Sequence, residues 1–198
     1  MKSFKIDNSE ISRTSSTFII AEAGVNHNGD LELAKKLVDV SVESGADAVK
    51  FQTFVVDEGT PKKLEKVDYQ KSSNSIESMY DMLKNLEFGF RDFKEIRDYC
   101  NHRKITFLST ASDFKSLEII NKLDVPAYKI GSADITNIPL IHKIAEMNKP
   151  IIISTGMSDI GEIQEAIEAV ESRGNEKIIL LQCTSNYPTE ISDINLNV

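Results

Sequence analysis

Phe18-Ile19-Ile20-Ala21-Glu22-Ala23-Gly24-Val25-Asn26-His27-Asn28-Gly29-Asp30 is the stretch that decides how the whole chain reads. The apolar run from Phe18 to Ala23 predicts a buried strand that delivers one carboxylate, Glu22, near its C-terminal end. A polar loop with two Asn, His27 and Gly29 follows, and Asp30 is placed to cap a helix over about Asp30 to Ser44, with Gly45 ending it. Leu33, Leu37 and Val40 are expected on its buried face, with Ala34 and Val38 beside them.

This layout of apolar strand, polar strand end, turn and amphipathic helix recurs. Strands are predicted at Ala48 to Thr53, Ile105 to Thr110, Ala127 to Ile130, Ile151 to Ser154 and Ile178 to Cys183. Helices are predicted at about Ser75 to Leu86, Phe90 to His102, Asp113 to Leu123 (stripe Phe114, Leu117, Ile120, Leu123), from Ile138 onward and Ile160 to Ser172. Met1 to Thr17 reads as an extension, with Phe4 and Ile6 in a short strand or a hairpin over one end of the domain that occupies 18–198. Val55 to Ser75 has no clear period, and Ile191 to Val198 is expected to begin another helix.

Apolar strands alternating with helices mean a parallel sheet covered by helices, in an α/β fold. Gly24 and Gly29 do not make the G-x-G-x-x-G phosphate loop of a doubly wound sheet, which favours a (β/α)8 TIM-type barrel. A complete barrel has eight units in roughly 250 residues, and about six units are legible here, so the barrel is expected to be incomplete.

Composition narrows the function. The 198 residues are 40% hydrophobic and 27% charged, with a formal net charge of -8. That balance argues against nucleic-acid binding, and no apolar run is long enough to span a membrane. Two cysteines, Cys100 and Cys183, make no disulfide framework, so a cytoplasmic setting is expected. Cys100 falls in a helical pattern and reads as core. Cys183 ends a strand, either near the site or as a small buried hydrophobe.

In a barrel the chemistry sits at the C-terminal strand ends. The polar residues there are Glu22, Lys50, Gln52, Ser109, Thr110, Lys129, Ser132, Asp134, Ser154, Thr184, Ser185 and Tyr187. Lys50 and Gln52 share one side of their strand, and Lys129 shares its side with the small Ala127 and Gly131. Two inward lysines repel each other and both remain charged most easily with an anion between them, while Ser, Thr and Gln supply donors for phosphate or carboxylate oxygens. The plain alternative is that each lysine ends a strand in solvent. Glu22 and Asp134 are candidates for proton transfer or for binding sugar hydroxyls, or else are capping or salt-bridged carboxylates. Tyr187-Pro188 places a phenol over the pocket or simply packs a loop. His27 lies in a turn, His102 and His142 fall in helical patterns, and no metal site is legible.

The same residues carry a resemblance. Ile20 to Asp30, Val49-Lys50-Phe51-Gln52, Phe107 to Thr110, Tyr128 to Ser132, Pro150 to Met157 (PIIISTGM) and Cys183 to Thr189 resemble, in order, the motifs of the sialic acid synthase family. That resemblance implies a barrel enzyme that condenses phosphoenolpyruvate with an open-chain N-acetylated sugar aldehyde, such as N-acetylmannosamine. By motif match it assigns Lys50, Gln52, Thr110, Lys129, Ser132 and Ser154, with Ser185, to phosphoenolpyruvate, Glu22 to the neighbourhood of a metal-bound water, and Asp134 and Tyr187 to the sugar. It implies a divalent metal, Mn2+ or Mg2+, whose two histidine ligands fall beyond this chain, and a homodimer in the full-length form. Asp134 departs from the Glu of many members, and Ser185 from the Asn of some. The chain is expected to be the N-terminal part of such a synthase, inactive by itself. The alternatives are a truncated, non-catalytic remnant that binds a ligand or a partner subunit, and a related phosphoenolpyruvate aldol-type synthase.

Overall fold

The computed structural model describes residues 3–62, 78–186 and 189–195. A hairpin of β1 (Phe4–Ile6) and β2 (Ser9–Ile11) precedes six parallel strands in sequential order: β3 (Ile20–Gly24), β4 (Ala48–Thr53), β5 (Thr106–Ala111), β6 (Tyr128–Ile130), β7 (Ile151–Ser154) and β8 (Ile178–Leu181). Together they form a curled, incomplete barrel with β3 and β8 at its edges. The connecting helices are α1 (Leu31–Glu43), α2 (Val56–Gly59), α3 (Met79–Leu86), α4 (Phe90–Arg103), α5 (Phe114–Lys122), α6 (Ile138–Ala145) and α7 (Ile160–Glu171). No helix among the described residues is long and apolar enough to cross a membrane.

One local device starts five of these helices: the Ser78 hydroxyl accepts the Asp81 N–H at the start of α3, and the other four follow strands. The side chains of Asp30, Asp113, Asn137 and Asp159 each accept backbone N–H bonds from the first turn of α1, α5, α6 and α7. Each of these four caps satisfies orphan amide donors at the point where the chain leaves a strand end, which fixes the length of the loop that carries the polar residues. Gly45 and Gly174, both at φ +77°, take the left-handed conformation beyond the ends of α1 and α7.

Alternation along the strands divides two apolar layers. Val49, Phe51, Phe107, Tyr128, Ile130, Ile151 and Ile153 point outward into the helix layer, where Phe93, Ile96, Leu117, Ile120, Leu140 and Ile144 meet them. Ala48, Leu108, Ala127 and Ile152 point inward and pack with Ile6 of the hairpin, which is fully buried. The hairpin thus closes the floor of the barrel, and Asp7 holds it there by accepting a hydrogen bond from the Thr106 hydroxyl at 3.2 Å.

Three expectations are corrected. In α1 the buried positions are Ala34, Val38 and Ser41, whereas Val40 is 61% exposed and Leu33 and Leu37 lie only partly buried. Small side chains let the helix approach the sheet closely, and the Ser41 hydroxyl satisfies itself on the Leu37 carbonyl at 2.7 Å. Phe114 stands half-exposed at the start of α5 rather than in its buried stripe. His27 lies in a turn as expected, and there it is buried and stacked on Phe88 with ring centroids 4.0 Å apart. The stretch after Ile191 makes one 3-10 turn, Ile191–Asp193, in place of the expected start of an α-helix. Cys100 is core as expected, and burial pushes its thiol up to about 12. Part of the Val55 to Ser75 stretch, and the start of the helix expected over Ser75 to Leu86, lie outside the described residues.

Replacing Ile6 with Ala should destabilise the chain by about 2–5 kcal/mol, because it empties the barrel floor. Replacing Val40 with Ala should leave stability within about 0.5 kcal/mol or raise it slightly. Urea denaturation of both variants checks this contrast; a Val40 variant as unstable as the Ile6 one would contradict the helix phase.

Candidate active site

Strand register lines the polar side chains up inside the barrel mouth. Parallel pairing sets Glu22 beside Lys50, and Gln52 beside Thr110, which in turn pairs with Lys129. Paired residues of adjacent strands share a face, so these five side chains and Ser154 look into the same space, one level above the Ala48–Leu108–Ala127–Ile152 floor. Lys50, Thr110, Lys129 and Ser154 are all buried.

The two lysines are satisfied differently. Lys50 pairs with the carboxylate of Glu22, which is itself about half-exposed, and makes a long 3.5 Å contact to the Thr110 hydroxyl. Lys129 has no carboxylate partner among the described residues; it donates to the Ser154 hydroxyl and the Ile130 carbonyl, both at 2.6 Å. Burial, then the nearby Lys50 charge, lowers the Lys129 ammonium from its usual range to about 8. A cation in this state gains from any anion that enters the mouth, since the anion replaces lost hydration and offsets the Lys50 repulsion.

The remaining strand-end residues gather on the same rim. Ser132 and Asp134 form a 3-10 turn after β6. The Ser132 hydroxyl accepts the Gly156 N–H at 3.0 Å, and the Ser185 hydroxyl also approaches Gly156. Asp134 is partly buried; desolvation and then the Asp113 carboxylate push it up to about 6. Asp113 works twice, since besides capping α5 it accepts the Val55 N–H at 2.9 Å and so ties the loop after β4 to the loop after β5.

Of the sequence-predicted residues, Glu22, Lys50, Gln52, Thr110, Lys129, Ser132, Asp134, Ser154 and Ser185 come together at this mouth. Tyr187 lies outside the described residues. Ser109 does not belong there: it points outward and shares a buried 2.8 Å hydrogen bond with Thr53. Its odd position beside the inward Thr110 signals this on period-two grounds alone. His27 and Gly156 are additions that residue type did not flag. His27 Nδ1 accepts the Gly29 N–H at 3.1 Å, burial lowers its pKa, and its Nε2 has no hydrogen-bond partner among the described residues. Gly29 itself sits at φ +76° with no room for a Cβ, which would lie 2.3 Å from the Asn85 carbonyl oxygen. These contacts pin the loop after Glu22 to the segment before α4. Among the described residues no three His, Cys, Asp or Glu side chains are grouped to hold a metal ion.

Comparison with known proteins agrees with this geometry. The model of the NeuB family matches residues 37–198. The N,N'-diacetyllegionaminic acid synthase of Legionella pneumophila is 49% identical over 185 residues, which is 90% of this chain and 52% of that protein. The enzyme of the same name from Campylobacter jejuni is 45% identical over 183 residues, covering 91% and 55%. A crystal structure of N-acetylneuraminic acid synthetase from Leptospira borgpetersenii, in complex with citrate, superposes with a TM-score of 0.83 at 30% identity over 98% of this chain and 63% of that one. The chain spans about half the length of the curated relatives it matches.

The raised pKa of Asp134 makes a stability prediction. Its folded value of about 6 lies above the unfolded value of 3.8, so the charged form opposes folding at neutral pH and the penalty disappears as pH falls below 3.8. Asp134→Asn should therefore raise the melting temperature at neutral pH, with a gain that shrinks as pH falls through 6. Thermal melts of both proteins across that range test it, and a neutral-pH loss of stability would contradict the assigned burial.

Proposed function

The chain belongs to the NeuB family, and from that premise we propose that its barrel mouth is the phosphoenolpyruvate site of a nonulosonic acid synthase. The reaction joins phosphoenolpyruvate to an open-chain N-acetylated sugar aldehyde of the N-acetylmannosamine type. C3 of phosphoenolpyruvate attacks the aldehyde carbon, water adds at C2, and phosphate leaves with its bridging oxygen by C–O cleavage. The products are a sialic-acid-type sugar acid and inorganic phosphate.

The observation that carries this reading is the pair of buried lysines in one mouth, with no carboxylate paired to Lys129 among the described residues. Phosphoenolpyruvate supplies two anionic groups at short separation, matching two ammonium groups and the donors of Gln52, Thr110, Ser132, Ser154 and Ser185. As phosphate oxygens engage Lys50, Glu22 is released from its ion pair and becomes the carboxylate able to take a proton from the water adding at C2. By motif match, Asp134 and Tyr187 are assigned to the sugar. Asp134 is mostly ionised near neutrality and accepts hydrogen bonds from sugar hydroxyls.

The residues described here do not by themselves make a metal site. The divalent cation and the homodimer are what the family resemblance implies for a complete synthase of this kind. The acceptor is resolved by assaying phosphate release with N-acetylmannosamine and its 6-deoxy relatives.

Lys129→Met in the full-length protein should raise the KM for phosphoenolpyruvate by roughly 10- to 100-fold, because a charge-assisted hydrogen bond contributes about 1.5–3 kcal/mol. The KM for the sugar should change far less. The pH dependence has a definite sign: the free Lys129 ammonium loses its proton above about 8, so phosphoenolpyruvate affinity of the parent protein falls as pH rises through that value and binding there takes up a proton. Steady-state kinetics with each substrate varied, together with calorimetry in buffers of different ionisation enthalpy, measure both effects. An unchanged KM for phosphoenolpyruvate in the Met variant would remove Lys129 from the site.

A further inference from the structure

We infer that Gly156 is a positioning residue for the anion site, holding the Ser132 hydroxyl as a donor toward a phosphoenolpyruvate oxygen; this rests on the reading of the mouth given above. Gly156 is buried in the loop between β7 and α7. Its φ is not in the left-handed region, unlike Gly24, Gly29, Gly45 and Gly174. Backbone conformation therefore does not require glycine here, and an alanine could adopt the same dihedrals. Space does require it. A Cβ built on Gly156 would lie 2.9 Å from the Ser132 hydroxyl oxygen, 3.2 Å from the Ser185 hydroxyl oxygen and 3.4 Å from the Ser132 Cβ. The loops that follow β6, β7 and β8 thus converge on one missing side chain.

The hydrogen bond between them sets direction as well as place. Ser132 Oγ accepts the Gly156 N–H at 3.0 Å. A hydroxyl has one hydrogen to donate and two lone pairs to accept with. With a lone pair occupied by a backbone amide, the Ser132 hydrogen remains available for an incoming anion. The neighbouring backbone is held firmly enough to impose this: the Thr155 N–H and hydroxyl both bond to the Leu181 carbonyl, at 3.1 and 2.9 Å, and the Ser158 N–H closes a turn on the Thr155 carbonyl at 3.3 Å. An alanine at 156 would push Ser132 off this amide, or displace the loop, and either change misdirects the donor.

The test is a double-mutant cycle on the full-length protein, read as the Kd for phosphoenolpyruvate by calorimetry. Gly156→Ala should weaken binding by at least about tenfold. In a Ser132→Ala background the same change should cost less than about threefold, since the hydroxyl it disturbs is already gone. Fully additive effects would mean a general distortion and would overturn the inference, as would a Gly156→Ala protein that binds like the parent while the parent binds normally. Absence of binding to the parent would sink the phosphoenolpyruvate reading itself, and this inference with it. If Gly156→Ala does not fold, Ser132→Ala alone decides: it should weaken phosphoenolpyruvate by about tenfold and speed hydrogen exchange of the Gly156 amide, and unchanged affinity or exchange overturns the assignment.

Discussion

Two ammonium groups held in the mouth of a half-closed barrel are the constraint on which the rest of this structure depends. Lys50 and Lys129 sit above an apolar floor, on adjacent inward rows, with little water to screen them. Such an arrangement is unfavourable unless each charge is answered. Glu22 answers Lys50, and hydroxyl and carbonyl oxygens answer Lys129 only in part, which is why burial drags its proton affinity down. The mouth is thereby poised for an anion before any ligand arrives, and electrostatic preorganisation of this kind needs no movement at the moment of binding.

Holding that mouth open and dry from below is the work of residues far from the chemistry. Ile6 enters the barrel from the N-terminal hairpin and completes a layer made by four different strands. From the side, the helix caps and the glycines fix where each loop turns. Asp113 joins the loops after β4 and β5, the His27–Phe88 stack and the Gly29–Asn85 contact join the loop after β3 to the segment before α4, and Gly156 joins the loops after β6, β7 and β8. Each rim loop is therefore fastened to a neighbour, so the polar side chains keep their spacing although they come from six separate strands.

Much of this was legible in the residues. The helix caps announce themselves as Asp or Asn a fixed distance from an apolar stripe, and Asp30 falls where expected. The inward lysines follow from period-two alternation, with Lys50 and Gln52 on one side and Lys129 flanked by small residues. The misreadings share one cause. Val40 and Phe114 are placed by the apolar pattern of their helices, yet burial is decided by what packs opposite: α1 offers its small residues to the sheet. Ser109 shows the converse, a polar residue at a strand end whose partner is another buried hydroxyl.

What the sequence by itself determined was the parallel α/β layout and the inward face of Lys50, Gln52 and Lys129, because periodicity and capping are local and survive without knowledge of neighbours. What only the tertiary structure decided was register and proximity. Nothing in the order of residues says that Glu22 reaches Lys50, that Lys129 meets the Ser154 hydroxyl, that Asp113 raises the proton affinity of Asp134, or that two serines meet over Gly156. These pairs are separated by tens of residues along the chain, and their energies fall steeply with distance and depend on the local dielectric, quantities that exist only once the strands have paired and the barrel has curled.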